Sequence, residues 1–390
     1  MRTVTAFSHI VLHYDEIGLK ANNRGYFEKL LIENVRAKLG ESMQSAVREC
    51  GQIALTLAPD AEVEQVMDVL RRIPGIANLA SALRVDSDLA VLEAAAVELA
   101  KTQTFETFKI RTRRHDKGVP LRSMEVNRVL GAAVLAAMPE KTVRMDSPDL
   151  ALRVEIAGRH SYLSMARQPG VGGLPTNSKQ KVVALLSGGM DSPVAAYLMM
   201  KRGCEVILTH YQNQNQLTPS VEDKILRLAE QLARYQRRTR LFIVPFEELQ
   251  KDIIKAVPGP LRMLVYRRVM LRLSSRIAAK NRARFLVVGD SLSQVASQTY
   301  ENLSATYLDS DRPIVSPLIG LDKREITALS RQIETFDISA LPYADCCSYF
   351  LPKHPELHAS AGILREHENR IDLDGLGGDA LENARLIEWT

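Results

Sequence analysis

The sequence predicts an α/β protein whose C-terminal half is a doubly wound parallel sheet, preceded by smaller α+β units. Segments with strand and helix patterns alternate along the whole chain. In residues 169–175, five of the seven residues are Gly or Pro, which favours an irregular connection. Residues 181–186 then form the continuous apolar run that a buried parallel strand requires. We therefore expect a domain boundary just before this strand.

Composition excludes several classes of protein. The chain has 390 residues, with 46% hydrophobic and 25% charged, the usual mix of a globular protein with more than one domain. It contains no apolar run near the roughly 20 residues that span a bilayer, and its first residues lack the apolar core of a signal peptide. Four cysteines are too few for a disulfide framework. We therefore expect a reduced, cytoplasmic protein.

The N-terminal half mixes short strands and helices. Strands are predicted at 10–14, 52–57, 76–85, 107–112 and 150–156, and helices at 25–39, 61–72, 89–101 and 126–138. This mixture predicts two small α+β or α/β units.

The C-terminal half alternates more regularly. Strands are predicted at 181–186, 205–210, 240–244 and 284–288, and helices at 194–201, 221–234 and 261–279. This order is typical of a doubly wound sheet. The polar residues 372–390 have little periodicity, which predicts a loosely packed end.

The charge balance is informative only locally. The chain has 51 basic and 46 acidic residues, a net charge of +5. Residues 109–122 contain six basic residues and one acid, and residues 262–284 contain eight and none. Such segments fit a polyanion such as nucleic acid, or equally a solvated helix face. The spacing of four from Arg268 through Arg272 and Arg276 to Lys280 favours an exposed face.

The segment Ser187-Gly188-Gly189-Met190-Asp191-Ser192-Pro193 carries the chemistry. It lies between a predicted strand and a predicted helix, where glycines let backbone N–H groups approach phosphate oxygens and the helix dipole favours negative charge. Ser187 and Ser192 add hydroxyl donors. The sequence contains no Gly-Lys-Ser/Thr, so the segment is not a Walker loop. The alternative is an ordinary tight strand-to-helix connection.

This segment resembles the pyrophosphate (PP) loop of the N-type ATP pyrophosphatases. Further strings, in the same order, resemble the tRNA 4-thiouridine sulfurtransferase family: 16–20 with Asn23 and Arg24, 109–122, 172–175, 289–298, 317–323 and 342–347. The resemblance implies a ferredoxin-like domain at 1–58, a THUMP RNA-binding domain at 59–167, a linker at 168–180 and a PP-loop catalytic domain at 181–390. It also implies that ATP adenylates a tRNA uridine at position 8, and that a persulfide sulfur displaces AMP to give 4-thiouridine.

The resemblance also assigns residues. Contacts to ATP fall on Leu185, Leu186, Ser187, Gly188, Gly189, Ser192, His210, Tyr211, Arg267, Gly289 and Gln298. Asp191 is expected to hold Mg²⁺ bridged to the phosphates, and Lys323 to stabilise charge during adenylation; no other metal is expected. Contacts to tRNA are expected from Lys109, Arg111, Arg113, Arg114 and Lys117. Taken singly, each residue also has an ordinary structural interpretation, for example a strand-end histidine at His210.

The cysteines divide into two groups. Cys50 and Cys204 lie in apolar surroundings and are predicted to be small buried residues. Cys346 and Cys347 lie in a polar segment, and the resemblance makes Cys347 the sulfur carrier. The alternative is a structural or metal-binding pair, although adjacent cysteines are badly spaced for zinc. Cys346 or Cys204 is the expected resolving thiol.

Partners follow from the same resemblance. Too few residues follow Cys347 for the rhodanese domain of longer family members, so a cysteine desulfurase is expected to supply sulfur directly. The sulfur carrier protein of thiamine thiazole synthesis is a second acceptor that the family implies. The sequence leaves a homodimer open and predicts no membrane partner.

Three other functions remain to be weighed. An adenylating, amidating synthetase acting on a small molecule would not need the long basic N-terminal region. A non-catalytic RNA-binding protein would not need an intact Ser-Gly-Gly-x-Asp-Ser loop. A THUMP methyltransferase would need a glycine loop for the methyl donor, and the sequence offers no convincing one.

Overall fold

A computed structural model describes residues 7–116, 118, 122–213, 219–342 and 355–390. The chain divides into two compact units, Met1–Pro175 (unit 1) and Thr176–Thr390 (unit 2). No helix in the described ranges is long and apolar enough to cross a membrane.

Unit 1 contains short strands and four helices within its described residues. The strands are β1 (His9–His13), β2 (Met43–Glu49), β3 (Gln52–Leu57), β4 (Asn78–Asp86), β5 (Thr107–Arg114), β6 (Thr142–Val143), β7 (Leu150–Ala157), β8 (His160–Ser164) and β9 (Gln168–Pro169), and the helices are α1 (Arg24–Leu39), α2 (Val63–Leu70), α3 (Leu89–Lys101) and α4 (Ser123–Ala137). The strands follow the order β2-β3-β1-β4-β8-β7-β5-β6, with β9 also on β4.

Two apolar cores lie along this sheet. Ile10, Leu31 and Ile53 belong to the first, where α1 and α2 pack with β1 and β3. Phe108 and Leu130 belong to the second, where α3 and α4 pack with β5 and β7. Strand β4 pairs with β1 at one part of its length and with β8 at another, so it joins the two halves of the unit.

Unit 2 alternates strands and helices. Its strands are β10 (Asn177–Leu185), β11 (Cys204–Gln212), β12 (Thr239–Pro245), β13 (Phe285–Val287), β14 (Ile314–Val315) and β15 (Arg385–Trp389), and its helices are α5 (Asp191–Lys201), α6 (Pro219–Ala233), α7 (Glu247–Ala256), α8 (Arg262–Asn281), α9 (Tyr300–Tyr307), α10 (Lys323–Gln332), α11 (Phe336–Ala340), α12 (Ala361–Glu368) and α13 (Gly375–Glu382). The strand order is β14-β13-β10-β11-β12-β15.

The sheet of unit 2 is parallel except for β15, and helices cover both faces. Val183 and Ile207 belong to the core that includes α7 and α8. The alternate residues Val182 and Val206 are equally buried on the other face, where α5 and α6 pack. This confirms the predicted doubly wound α/β fold. It also brings the carboxyl ends of β13, β10 and β11 to one edge, where such sheets bind ligands.

Three expectations of local structure were wrong. The segment 372–390 is not loosely packed, because it forms α13 and then β15, which pairs antiparallel with β12. Arg268 is not on an exposed face: it is 2% exposed and bonded to Glu368 and Asp309. Cys50 is exposed rather than buried, because Cys50 and Gly51 form the two-residue turn between β2 and β3, both with positive φ.

Candidate active site

The loop between β10 and α5 is held in its conformation by hydrogen bonds between its own residues. The backbone N–H of Ser187 donates to Ser192 Oγ at 2.9 Å, and the two serine hydroxyls lie 3.0 Å apart. The N–H of Gly189 donates to Ser187 Oγ at 3.3 Å. No side chain caps the first turn of α5 among the described residues. The N-terminal N–H groups of that helix therefore face the loop, as an anion site requires.

Gly289 allows β13 to approach this loop closely. A Cβ atom added at Gly289 would lie 2.7 Å from the backbone nitrogen of Ser192 and 2.9 Å from the carbonyl carbon of Asp191. Both are backbone atoms, so the contact could not be relieved by rotating a side chain. The sequence thus places glycine where two neighbouring loops of the site touch.

A cavity of about 270 Å³ opens at the same edge of the sheet. It is lined by Leu185, Leu186, Ser187, Gly189, Asp191, Ser192, Thr209, His210, Tyr211, Met263, Arg267, Met270, Val288, Gly289, Asp290 and Gln298. Its volume and mixed apolar and polar lining suit a small molecule such as a nucleotide.

One wall of the cavity comes from α8, where Met263, Arg267 and Met270 share a helix face. Another part of the lining comes from β11, where His210 is buried and its Nδ1–H donates to the carbonyl of Leu186 at 2.9 Å. Tyr211 donates its hydroxyl to the carbonyl of Met270 at 2.8 Å, and burial raises the pKa of this phenol. The tyrosine therefore stays protonated and fixes β11 against α8.

Asp290 organises the side of the cavity next to Gly289. Its carboxylate accepts hydrogen bonds from Arg267 and Tyr307, and from Gln298 Nε2 at 3.0 Å. Burial, followed by the negative charge of Asp290, raises the pKa of Tyr307, so this phenol remains a donor. Sequence reasoning missed Asp290, Met263 and Met270 as site residues. The spacing of 263, 267 and 270 could have indicated a shared helix face.

Asp191 lies at the mouth of the loop as the first residue of α5. Its Oδ1 is 2.8 Å from Lys323 Nζ, and its Oδ2 accepts a hydrogen bond from Gln294 at 2.9 Å. Lys323 begins α10, which is capped by a reciprocal box between Asp322 and Glu325. A carboxylate and an ammonium group therefore meet beside the phosphate-binding loop.

This donor set fits a magnesium ion held together with nucleotide phosphates. Mg²⁺ is commonly bound through one or two carboxylates plus substrate phosphates rather than by a protein cage. Asp191 supplies one carboxylate, with its side chain 21% exposed at the cavity. Both Asp191 and the other nearby carboxylate, Asp290, have side-chain partners, but Asp191 is the more exposed of the two, at 21% against 8% of the side chain.

The structure brings most of the sequence-predicted residues together. The predicted residues that line the cavity are Leu185, Leu186, Ser187, Gly189, Asp191, Ser192, His210, Tyr211, Arg267, Gly289 and Gln298. Gly188 lies between two of them in the loop, and Lys323 reaches the site through Asp191. Cys346, Cys347 and Lys117 lie outside the described residues.

Cys204 does not join this site. It begins β11, whereas the cavity lies at the other end of that strand, beyond Thr209. Six residues of extended chain separate it from His210, about 20 Å. Burial also raises the pKa of its thiol, which opposes formation of the nucleophilic thiolate. Strand β11 does border the cavity, as expected, but Cys204 lies at its opposite end, which argues against Cys204 as the resolving thiol.

The predicted basic residues of unit 1 form a face on β5. Lys109, Arg111 and Arg113 alternate with the buried Phe108 and Ile110, so the three basic side chains share the side of the sheet away from the core. Lys109 Nζ donates to the carbonyl of Met145 at 2.8 Å.

Two further residues define the limits of this face. Arg153 on β7 lies in register with Arg111 and shares its side of the sheet. Arg114 follows Arg113 directly on β5, so its side chain points to the opposite side of the sheet from Lys109, Arg111 and Arg113. We call Lys109, Arg111, Arg113 and Arg153 the β5 basic face.

Three family models match consecutive parts of the chain. A ferredoxin-like domain of ThiI matches residues 9–80, a THUMP domain matches 86–166, and the thiamine biosynthesis protein ThiI matches 177–373. Together they cover most of the sequence.

Individual proteins match over nearly the whole length. A probable tRNA sulfurtransferase of Thermoanaerobacter pseudethanolicus is 38% identical over 93% of this chain and 95% of its own. One from Thermus thermophilus is 39% identical over 98% and 94%. A solved 4-thiouridine synthetase, in a complex with RNA and with bound ATP, superposes with a TM-score of 0.88 at 30% identity, covering 98% of this chain and 99% of that one.

Proposed function

The chain belongs to the ThiI family of tRNA sulfurtransferases, and on that premise we propose that it uses ATP to convert a uridine of tRNA, at position 8, to 4-thiouridine. The observation that carries the proposal is the cavity at the carboxyl edge of unit 2. There the Ser187–Ser192 loop and the N-terminal end of α5, with Asp191, lie beside an apolar part of the cavity that is large enough for a nucleoside. ATP is therefore the cofactor.

In the first step the carbonyl oxygen of the uridine attacks the α-phosphate, and pyrophosphate leaves. The N–H groups of the loop and of α5 bind the phosphates, and Lys323 stabilises the negative charge that develops. Asp191 would hold Mg²⁺, which when bound neutralises phosphate charge. The Asp191–Lys323 contact of 2.8 Å orients both groups before ATP arrives.

In the second step sulfur replaces the activated oxygen. We assign Cys347 as the carrier of a persulfide whose outer sulfur attacks C4 of the uridine. A C–S bond forms, the C–O bond breaks, and AMP leaves with the bonding electrons. A second thiol then cleaves the remaining S–S bond and becomes part of a disulfide, which a cellular thiol reductant reduces. Since Cys204 lies at the wrong end of β11, this thiol is Cys346 or belongs to another molecule.

Partners follow from this chemistry. The β5 basic face binds tRNA through its phosphates, and this requires a cluster of basic side chains such as Lys109, Arg111 and Arg113. A cysteine desulfurase supplies the sulfur, and the sulfur carrier protein of thiamine thiazole synthesis is a second acceptor. The reaction takes place in the cytoplasm. We retain the domain limits 1–58, 59–167, 168–180 and 181–390 as part of the proposal.

The test is the 4-thiouridine content of bulk tRNA in cells with and without the gene, measured by mass spectrometry of nucleosides. Deletion should remove the nucleoside. The wild-type gene should restore it, and the Asp191→Ala variant should not. Unchanged 4-thiouridine after deletion, in a cell without a second copy, would contradict the proposal and favour a synthetase acting on a small molecule.

A further inference from the structure

Asp290 has a role in the nucleotide cavity that the motifs of the sequence do not assign. It lies just beyond β13, is 5% exposed, and contacts two residues that line the same cavity, Arg267 and Gln298. Tyr307 donates to it from α9. Asp290 itself also lines the cavity, and it holds the polar groups of this wall in place.

The contact with Asp290 fixes which way the amide of Gln298 points. An ionised carboxylate only accepts hydrogen bonds, so the atom facing it at 3.0 Å must be the amide nitrogen Nε2. The carbonyl oxygen Oε1 therefore points away from Asp290.

The exposed fraction of Gln298 is only 8%, and its Oε1 accepts no hydrogen bond from any residue in the described ranges. Buried acceptors in folded proteins are nearly always satisfied. Gln298 also lines the cavity, and its backbone is held by bonds to Val295 and Ser293. An acceptor that is oriented, buried and unpaired within a cavity is complementary to a hydrogen-bond donor on a ligand.

We propose that Asp290 is a positioning residue that orients Gln298 so that Oε1 accepts a hydrogen bond from a donor of the nucleoside part of ATP, a ribose hydroxyl or the amino group of adenine. The inference rests on the proposed function, since it takes ATP as the ligand. The phosphates are excluded as partners because they carry no donor at neutral pH. Asp290 holds the Arg267 guanidinium at the same wall, so one carboxylate sets both polar contacts.

The first test compares ATP with analogues that each lack one donor: 2′-deoxy-ATP, 3′-deoxy-ATP and the triphosphate of purine riboside, which lacks the amino group. Dissociation constants are measured by calorimetry on the full-length wild type and on Gln298→Ala. One analogue should bind the wild type about tenfold more weakly than ATP, the loss of one hydrogen bond. That penalty should disappear in Gln298→Ala, and the identity of the analogue names the donor. Penalties that persist unchanged in Gln298→Ala would overturn the inference.

The second test addresses Asp290 itself. Asp290→Asn keeps the shape but offers an amide that can accept or donate, so Gln298 is no longer held in one orientation. We expect discrimination between ATP and the weak analogue to fall several-fold. The matched control is Asp309→Asn, which loses a partner of Arg268 away from the cavity and should keep the discrimination. Full discrimination in a folded Asp290→Asn would contradict its positioning role.

The outcomes separate this inference from the proposed function. If the wild type does not bind ATP, the proposed function fails. If it binds ATP and all three analogues equally, only the role of Gln298 and Asp290 fails. Should Asp290→Asn not fold, the comparison of analogues on Gln298→Ala still decides the role of Gln298, and Asp290→Glu, which keeps the carboxylate but displaces it, replaces Asp290→Asn in the second test.

Discussion

Two buried carboxylates, Glu155 in unit 1 and Asp290 in unit 2, have similar surroundings but different positions. Each accepts hydrogen bonds from three side chains, one of them an arginine. The partners of Glu155 are His13 at 2.8 Å, His115 at 2.9 Å and Arg167. They come from the ends of β1 and β5 and from the segment before β9, so this cluster ties together strands that are not neighbours in the sheet.

The partners of Asp290 differ from those of Glu155 because two of them line the cavity of unit 2. Arg267 and Gln298 line a cavity, and the second of these keeps an unpaired buried oxygen. Composition alone therefore does not separate a framework cluster from a site cluster. What separates them is position: Arg267 and Gln298 line the cavity at the carboxyl edge of the unit 2 sheet, beside the phosphate-binding loop, whereas Glu155 lies within the strands of unit 1. Variants at Glu155 should lower stability, and variants around Asp290 and the loop should lower activity in a protein that remains folded.

The largest effect is expected at Asp191. Asp191→Ala should abolish adenylation, measured as tRNA-dependent release of pyrophosphate, and hence thiolation, because the carboxylate beside the loop is lost; we expect a fall of about 100-fold or more.

Cys347→Ser should also stop thiolation with persulfide as sulfur source but leave tRNA-dependent pyrophosphate release intact. Free sulfide should restore thiolation to Cys347→Ser and not to Asp191→Ala. Normal thiolation by Cys347→Ser with persulfide would show that another residue carries the sulfur.

Gly289→Ala should act on ATP binding without unfolding the protein. The added Cβ would press on the backbone of Ser192 and Asp191, at 2.7 and 2.9 Å, and widen the loop. We expect ATP affinity to fall by at least about tenfold, measured by calorimetry, with an unchanged circular dichroism spectrum. Gly320→Ala is the control, because a Cβ there would meet nothing within 4 Å. Equal affinities for the two variants would contradict the close approach.

Glu155→Gln should affect stability instead. Removing one partner of a buried ion pair typically costs about 3–5 kcal/mol, and His13, His115 and Arg167 would lose the charged acceptor that they share, with an NH₂ group in place of one of its oxygens. Trp389, the single tryptophan, lies in unit 2. In a urea titration, tryptophan fluorescence therefore reports the unfolding of unit 2, whereas circular dichroism reports both units. The unfolding transition that is seen by dichroism but not by fluorescence belongs to unit 1, and in Glu155→Gln its midpoint should move to a lower urea concentration. Glu98→Gln breaks only an exposed pair with Lys101 and should change stability by at most about 1 kcal/mol.

The smallest effect is expected in how the stability difference between wild type and Glu155→Gln changes with pH. Burial opposes ionisation of Glu155, but hydrogen bonds from His115 and His13, with the charges of His13 and Arg167, outweigh it and lower its pKa well below the usual range. A folded pKa below the unfolded value of about 4.3 stabilises the protein above that value and loses the effect as pH falls. The stability difference between wild type and Glu155→Gln should therefore be largest above about pH 5 and shrink as pH falls below about 4 toward the folded pKa. A constant difference would contradict the account.

The sequence predicted the parts of the molecule that are local. The apolar strand before Ser187, the glycine turn and the helix after it follow from patterns of a few residues, and the parallel sheet follows from their repetition. Strand β2 was missed because its buried and exposed residues do not alternate regularly. Strand β8 was missed because it has only five residues and follows β7 directly in a tight hairpin. Strand β15 was missed because an edge strand buries little of its surface.

Contacts between distant residues could not be predicted in this way. The pairing of Asp290 with Arg267 and Tyr307 joins three elements, and the burial of Arg268 depends on Glu368, a hundred residues away. A spacing of four on α8 was compatible with an exposed stripe because the acids that neutralise it lie elsewhere in the sequence. The position of Cys204, in contrast, follows from the predicted strand 205–210, because Cys204 precedes the start of that strand and His210 ends it.

The most direct test of the central claim is release of pyrophosphate from ATP by the purified full-length protein, with and without tRNA, before any sulfur donor is added. We predict pyrophosphate release and formation of an adenylated RNA only when unmodified tRNA is present, and neither with Asp191→Ala. Turnover of ATP on a small carboxylate or amide without RNA, unaffected by tRNA, would contradict the claim that the cavity of unit 2 activates a uridine.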